Sequence, residues 1–208
     1  PALDLVADVM LRPSFPADEL ERQRTARLGQ LVQQRENAGA LAAKMVGVVL
    51  YGENHPYGFT ELGTEASVRA MTRDQMMAFW NQNFVPNNSA LVVAGDISMA
   101  ELRPLAEKAF GTWQRGTPVR PALSLPANAT SKVVIVDRPG APQTQLRVAM
   151  IGASRSSSDF RPAQVMNTAL GGLFSSRINM NLREKNGYTY GASSAFAFRK
   201  SAGPFQVA

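Results

Sequence analysis

Apolar positions in residues 2–11 recur at helical spacing and stop before Pro13, which predicts a helix with one buried face. Pro16 suits the first turn of a second helix, and Asp18 and Glu19 complement its positive end. Leu20, Leu28, Leu31 and Val32 form the apolar stripe of that helix, which runs to about Glu36. Asn37-Ala38-Gly39 interrupts it, and residues 40–50 form a third, more uniformly apolar helix. Residues 52–63 read as a loop.

Thr72 with Gln75 three residues on is a capping box that opens a helix through Trp80 to Asn83. The continuous apolar character of residues 88–96 predicts a buried strand. Ser98 and Glu101 form a second capping box, opening a helix to Phe110 that Pro104 is expected to kink. Residues 111–131 change character, with Pro118, Pro121 and Pro126 among small side chains. Beyond them come strands at 132–137 and 143–151, the second alternating Gln145, Arg147 and Ala149 with Leu146, Val148 and Met150. A helix over about 160–170, a break at Gly171-Gly172, a helix to Lys185 and a strand over 188–198 complete the pattern. Gly203-Pro204 then turns the chain into a last apolar run. The order predicts an α+β protein with antiparallel sheets covered by helices. It is organised as the back part of one unit (1–114), a linker (115–131) and the front part of another (132–208).

A length of 208 residues and an apolar fraction of 45% allow a hydrophobic core. The 22 Lys and Arg exceed the 16 Asp and Glu by 6, but no basic run concentrates them. A nucleic-acid partner is therefore not expected, and the charge favours anionic partners in general. The absence of cysteine excludes disulfides, a thiol nucleophile and a cysteine zinc site. Every apolar stretch is too short to span a bilayer. The chain begins at Pro1 and ends inside an apparent strand, so it is expected to be a piece of a longer protein.

The stretch with the most chemical content is Leu182-Arg183-Glu184-Lys185-Asn186-Gly187-Tyr188-Thr189-Tyr190-Gly191. Asn186-Gly187 suits a helix C-terminus, because glycine reaches the left-handed conformation without penalty. Arg183 and Tyr190 then lie on opposite sides of one tight corner and can present two donors to a polarised carbonyl or oxyanion. The same residues also suit a plain role: basic side chains at the negative end of a helix dipole and half-buried strand aromatics. The remaining residues suggest less. His55 lacks a second histidine or a carboxylate pair and reads as a structural loop histidine. Met71, Met76 and Met77 read as core filler. Gly171-Gly172 lacks the following Gly-Lys-Ser/Thr of a phosphate loop. Ser175 and Ser176 lack a His/Asp set and read as a helix start.

Several segments together resemble the pitrilysin family of zinc metallopeptidases, which includes insulin-degrading enzyme, mitochondrial processing peptidase and many bacterial zinc proteases. They are residues 2–9, residues 15–22, His55-Pro56-Tyr57-Gly58, Pro86-Asn87-Asn88 leading into Val92-Val93-Ala94-Gly95-Asp96, Leu170-Gly171-Gly172-Leu173-Phe174-Ser175-Ser176-Arg177 and the 182–191 stretch. The resemblance spans nearly the whole chain. It implies repeated α+β units forming a clam-shell. One half holds zinc through His-x-x-Glu-His and a downstream Glu; the other supplies an Arg/Tyr pair that closes over a bound peptide and supports the tetrahedral intermediate. Arg183 and Tyr190 fall where that pair lies.

The sequence also departs from the family pattern. His-x-x-Glu-His is absent, and His55 cannot supply it. The helix after Phe15 carries Gln30 and Gln23 where metal-binding members carry the ligand Glu and its supporting Glu. Seven residues return to within about 20° of the same helix face, so the spacing survives while both carboxylates are gone. A neutral amide is a weak zinc ligand. In a shifted register Glu36 would be considered, although Arg35 and Asn37 beside it do not fit the pattern. Gln23 and Gln30 also suit ordinary helix-surface positions.

The resemblance therefore implies a chain from the non-metal half or subunit. It would bind no cofactor itself, with zinc in the other half or in a partner subunit, an arrangement that includes a dimer. It would not be catalytic alone. Its expected substrate is a peptide or unfolded protein. The alternative is a non-catalytic scaffold of the same fold, as in core subunits of respiratory complexes. Retention of Arg183 and Tyr190 favours the peptidase reading. A basic binding module of unrelated type fits only the charge. A bacterial setting is expected, periplasmic ahead of cytoplasmic.

Overall fold

A computed structural model describes residues 1–126 and 131–208. Positions 127–130 of the expected linker lie outside the described residues. Contacts divide the chain into two compact units, residues 1–28 with 64–121 and residues 29–63 with 122–208.

In the first unit, α1 (Ala2–Leu11) packs against α6 (Met99–Phe110). α2 (Ala17–Glu36) begins here, and its Arg24 guanidinium donates to the carbonyls of Val68, Arg69 and Met71, at and just beyond the C-terminal end of α4 (Glu65–Ala70). That satisfies carbonyls the helix cannot bond internally and places a cation at its negative end. α5 (Arg73–Asn83) opens on the expected capping box: the Thr72 hydroxyl accepts from the Gln75 amide, and the Gln75 side chain accepts from the Thr72 amide at 2.9 Å. Ser98 and Glu101 cap α6 in the same way, and the helix continues through Pro104. Phe15 meets Trp80 edge-on and Trp80 stacks on Phe84 at 3.7 Å, beside the buried Val85.

The second unit holds α3 (Ala38–Tyr51), capped by the Asn37 side chain, which accepts from the Ala40 amide at 2.9 Å. α3 packs on β1 (Val148–Ile151), the first strand of an antiparallel sheet ordered β1, β3 (Pro204–Val207), β2 (Ser194–Phe196). Val207 faces Val148 on one side and Ser194 on the other. Phe196 contacts Phe198 and Phe205, and Phe198 meets Phe160 edge-on at 4.6 Å. At the end of α3, Tyr51, His55 and Tyr57 cluster their rings. The His55 Nδ1 accepts from the Tyr57 amide and the Tyr57 hydroxyl accepts from the Ser201 amide, both at 3.0 Å. His55 is thus a structural residue of its turn.

The α+β class and the antiparallel sheet agree with the sequence reading, but the strands are fewer and shorter. Residues 89–96 follow a short 3-10 turn (Pro86–Asn88) without joining a ladder, and Val92 is 88% exposed. Residues 132–137 likewise form no strand, with Val133 at 91% exposure. The expected strands at 143–151 and 188–198 reduce to β1 and β2. The reason is common to all: apolar alternation makes a segment fit for a sheet, but a strand exists only where a neighbour supplies the hydrogen-bond ladder.

Candidate functional site

The candidate site is built by the stretch between α7 (Phe160–Asn167) and β2. The expected single helix over 160–170 ends as α7 at Asn167 and widens into a π-helical turn, Thr168–Gly172. After an irregular step, α8 (Arg177–Asn179) passes directly into a second π-helical turn, Met180–Lys185. Ser176 occupies the position before α8, but its hydroxyl makes no capping bond. Such π turns are rare and occur most often at functional sites.

The corner closes as the sequence suggested. Gly187 takes φ 64°, its amide donates to the Arg183 carbonyl at 3.0 Å and the Tyr188 amide to the Leu182 carbonyl at 2.9 Å. The first is the bond of an ordinary αL glycine cap, and the second spans one residue more than the outer bond of a Schellman motif. The chain then bends at Tyr188 and Tyr190 on its way to β2. Thr189 braces it locally, its hydroxyl donating to the Gly191 carbonyl at 2.9 Å and accepting from the Gly191 amide at 3.2 Å.

Arg183 and Tyr190 both belong to this corner but face different surroundings. The Arg183 guanidinium lies over the Phe174 ring, 4.7 Å from its centroid, and its Nε is 3.4 Å from a Glu184 carboxylate oxygen. Tyr190 is 86% exposed and helps line a cleft of about 850 Å³ with Gln143, Leu146, Val148, Leu182 and Tyr188. Val207 and Ala208 also line it. Arg183 does not line this cleft, and among the described residues no hydrogen bond joins it to Tyr190. What the fold provides is two donors on one corner, one resting on an aromatic ring and the other free in a groove.

Two asparagines of this corner carried no role in the sequence reading, and Gly171 was read only as a helix break within a family motif. Asn179 is buried; it donates to the Phe174 carbonyl at 2.7 Å and accepts from the Ala192 amide at 3.1 Å. Asn167 donates to the Ser194 carbonyl at 3.0 Å and accepts from the Ser194 hydroxyl at 2.7 Å. Gly171 lies so close to Ser194 that a Cβ would overlap that residue's amide and hydroxyl. The available signal was slight: two asparagines, poor helix formers, inside predicted helices.

Gln23 and Gln30 lie on α2 and are exposed; Gln23 donates to a Glu19 carboxylate oxygen at 2.9 Å. The bonds from the Arg22 guanidinium, with a smaller effect from Gln23, lower the Glu19 carboxyl to about 2. Among the described residues no group of three or more His, Asp or Glu is gathered to hold a metal ion. None of the described helices is long and apolar enough to cross a membrane.

Fold and corner together define an α+β chain with helices packed on a small antiparallel sheet. Residues 70–208 match the family described as the peptidase M16 inactive domain. An uncharacterized zinc protease of Mycobacterium leprae is 30% identical over 212 residues, covering 99% of this chain and 46% of that protein. An uncharacterized zinc protease of Mycobacterium tuberculosis is 31% identical over 209 residues, covering 99% and 47%. The crystal structure of a peptidase M16 inactive domain from Pseudomonas fluorescens superposes with a TM-score of 0.90 at 31% identity, covering all of this chain and 50% of that one. Pitrilysin shares the fold, with a TM-score of 0.64 at 20% identity over 99% of this chain and 23% of its own. The chain belongs to the M16 peptidase family and is of its inactive-domain type, as the motifs implied. It spans about half the length of the relatives it matches.

Proposed function

We propose that this chain serves a zinc peptidase from the half that holds no metal, presenting Arg183 and Tyr190 to a peptide that a zinc-bearing half or partner subunit cleaves. The observation that carries this reading is the state of Tyr190: the residue is 86% exposed in a groove, while the Tyr188 amide before it and the Gly191 and Ala192 amides after it are hydrogen-bonded. A strand aromatic kept for packing would be covered. A donor that must meet charge developing on a substrate has to be exposed and held in place beforehand. Arg183, supported on Phe174 and only 39% exposed at its side chain, is the second donor. The Gln23 and Gln30 amides favour zinc held elsewhere.

The test replaces Arg183 by Ala and Tyr190 by Phe in the assembled, zinc-loaded, full-length enzyme, with hydrolysis of a quenched-fluorescent peptide as the readout. Each change should lower kcat about 100-fold or more, the scale for losing one oxyanion donor, while the fold survives. Unchanged peptidolysis would replace this reading with that of a scaffold.

A further inference from the structure

We propose that Asn179 is a positioning residue that fixes Tyr190 relative to the platform on which Arg183 rests. The inference deepens the Arg183 and Tyr190 reading above and depends on it.

Asn179 is 4% exposed and uses both ends of its amide. Nδ2 donates to the Phe174 carbonyl at 2.7 Å, and Oδ1 accepts from the Ala192 amide at 3.1 Å. The two partners are the residue whose ring lies under the Arg183 guanidinium and the residue two positions beyond Tyr190. One buried side chain therefore ties the backbone beneath the first donor to the backbone beside the second. Asn179 also lies four residues before Arg183, one turn away along the same helical stretch.

The neighbouring bonds show where the segment is fixed and where it is free. Thr189 grips Gly191 across Tyr190, and Asn167 holds Ser194 by two bonds. With the Tyr188 amide bonded to the Leu182 carbonyl before it and the Ala192 amide bonded to Asn179 after it, the Tyr190 main chain is anchored on both sides, while its ring is left in the groove. Asparagine is suited to the tie because it carries a donor and an acceptor on a short stem. Aspartate would turn an acceptor toward the Phe174 carbonyl, and a leucine of similar size would leave both backbone groups unpaired. Small errors of placement at a reacting centre have large effects on rate, so loosening this tie should act on turnover.

The experiment is a double-mutant cycle in the full-length, zinc-loaded enzyme with a quenched-fluorescent peptide. It compares Asn179→Ala, Tyr190→Phe and the double variant, and follows hydrogen exchange at the Ala192 amide. Exchange at Ala192 should speed up in Asn179→Ala, kcat should fall about tenfold with KM within about twofold, and in the Tyr190→Phe background the same change should cost less than about twofold. An equal fold loss in both backgrounds overturns the inference, since a merely structural role does not depend on the phenol. So does an unchanged kcat, or an Ala192 amide whose exchange does not change. If Asn179→Ala does not fold, Asn179→Ser takes its place in the cycle; failure of both to fold overturns the inference in favour of a purely structural role. If Tyr190→Phe alone keeps full kcat, the underlying reading falls and this inference with it. If Tyr190→Phe is slow and the losses multiply, only this inference falls.

Discussion

The Arg183 guanidinium lies 4.7 Å from the centroid of the Phe174 ring, and Phe174 is itself 61% exposed. A cation over an exposed ring is worth about 0.5–1 kcal/mol. Replacing Phe174 by Ala should therefore lower kcat only about two- to fivefold if that whole increment is lost from the transition state. Arg183→Ala should cost about 100-fold. Steady-state kinetics on the full-length enzyme tests the ranking. Equal losses for the two variants would mean that Phe174 does more than support the guanidinium.

Gly171 is held against Ser194 with no room for a Cβ. Gly171→Ala must push the π turn away from the start of β2, breaking the paired bonds between Asn167 and Ser194. A cost of about 1–3 kcal/mol is expected for such overpacking. Denaturant unfolding measures it, and removing the Ser194 hydroxyl as well (Ser194→Ala) should recover only part of the loss, because the backbone amide still clashes.

Thr72 caps α5 reciprocally with Gln75. Thr72→Ala should cost about 1 kcal/mol and Thr72→Ser much less, since serine keeps the accepting oxygen. The denaturation midpoint should fall with little change in slope.

Tyr51 is 5% exposed and its hydroxyl donates to the Ala202 carbonyl at 2.9 Å. Burial pushes the phenol up to about 12, against a smaller opposing effect of the Arg199 charge. A raised value means that the folded protein favours the neutral phenol. The associated stability is fully present below about pH 10, the ordinary tyrosine value, and is lost as pH rises from there through about 12. Phenolate absorbance should show one of the four tyrosines titrating late, and Tyr51→Phe should abolish that step. A titration with no late tyrosine would contradict the burial.

If the metal is held outside this chain as proposed, zinc should not bind at one equivalent through α2, which carries the neutral amides of Gln23 and Gln30. Equilibrium dialysis followed by metal analysis measures this directly. Stoichiometric zinc lost on Gln30→Ala would overturn the placement of the metal in the other half.

The sequence by itself determined the local features of this protein. Both capping boxes, the Asn37 interruption between α2 and α3 and the Gly187 corner were legible because each depends on residues within a few positions of one another. The ordered motifs likewise sufficed to place the chain in its family. The strands were only partly legible. Residues 88–96 and 132–137 have the apolar content of strands, yet among the described residues neither segment joins a ladder, and Val92 and Val133 are exposed. The site was legible to the same limited degree. The family resemblance pointed to Arg183 and Tyr190, but only the tertiary structure decided that one rests on Phe174 and the other lies in a groove. The tie made by Asn179 was beyond the sequence for the same reason. Its partners are five and thirteen residues away, and an asparagine's two hydrogen bonds are chosen by the fold that buries it.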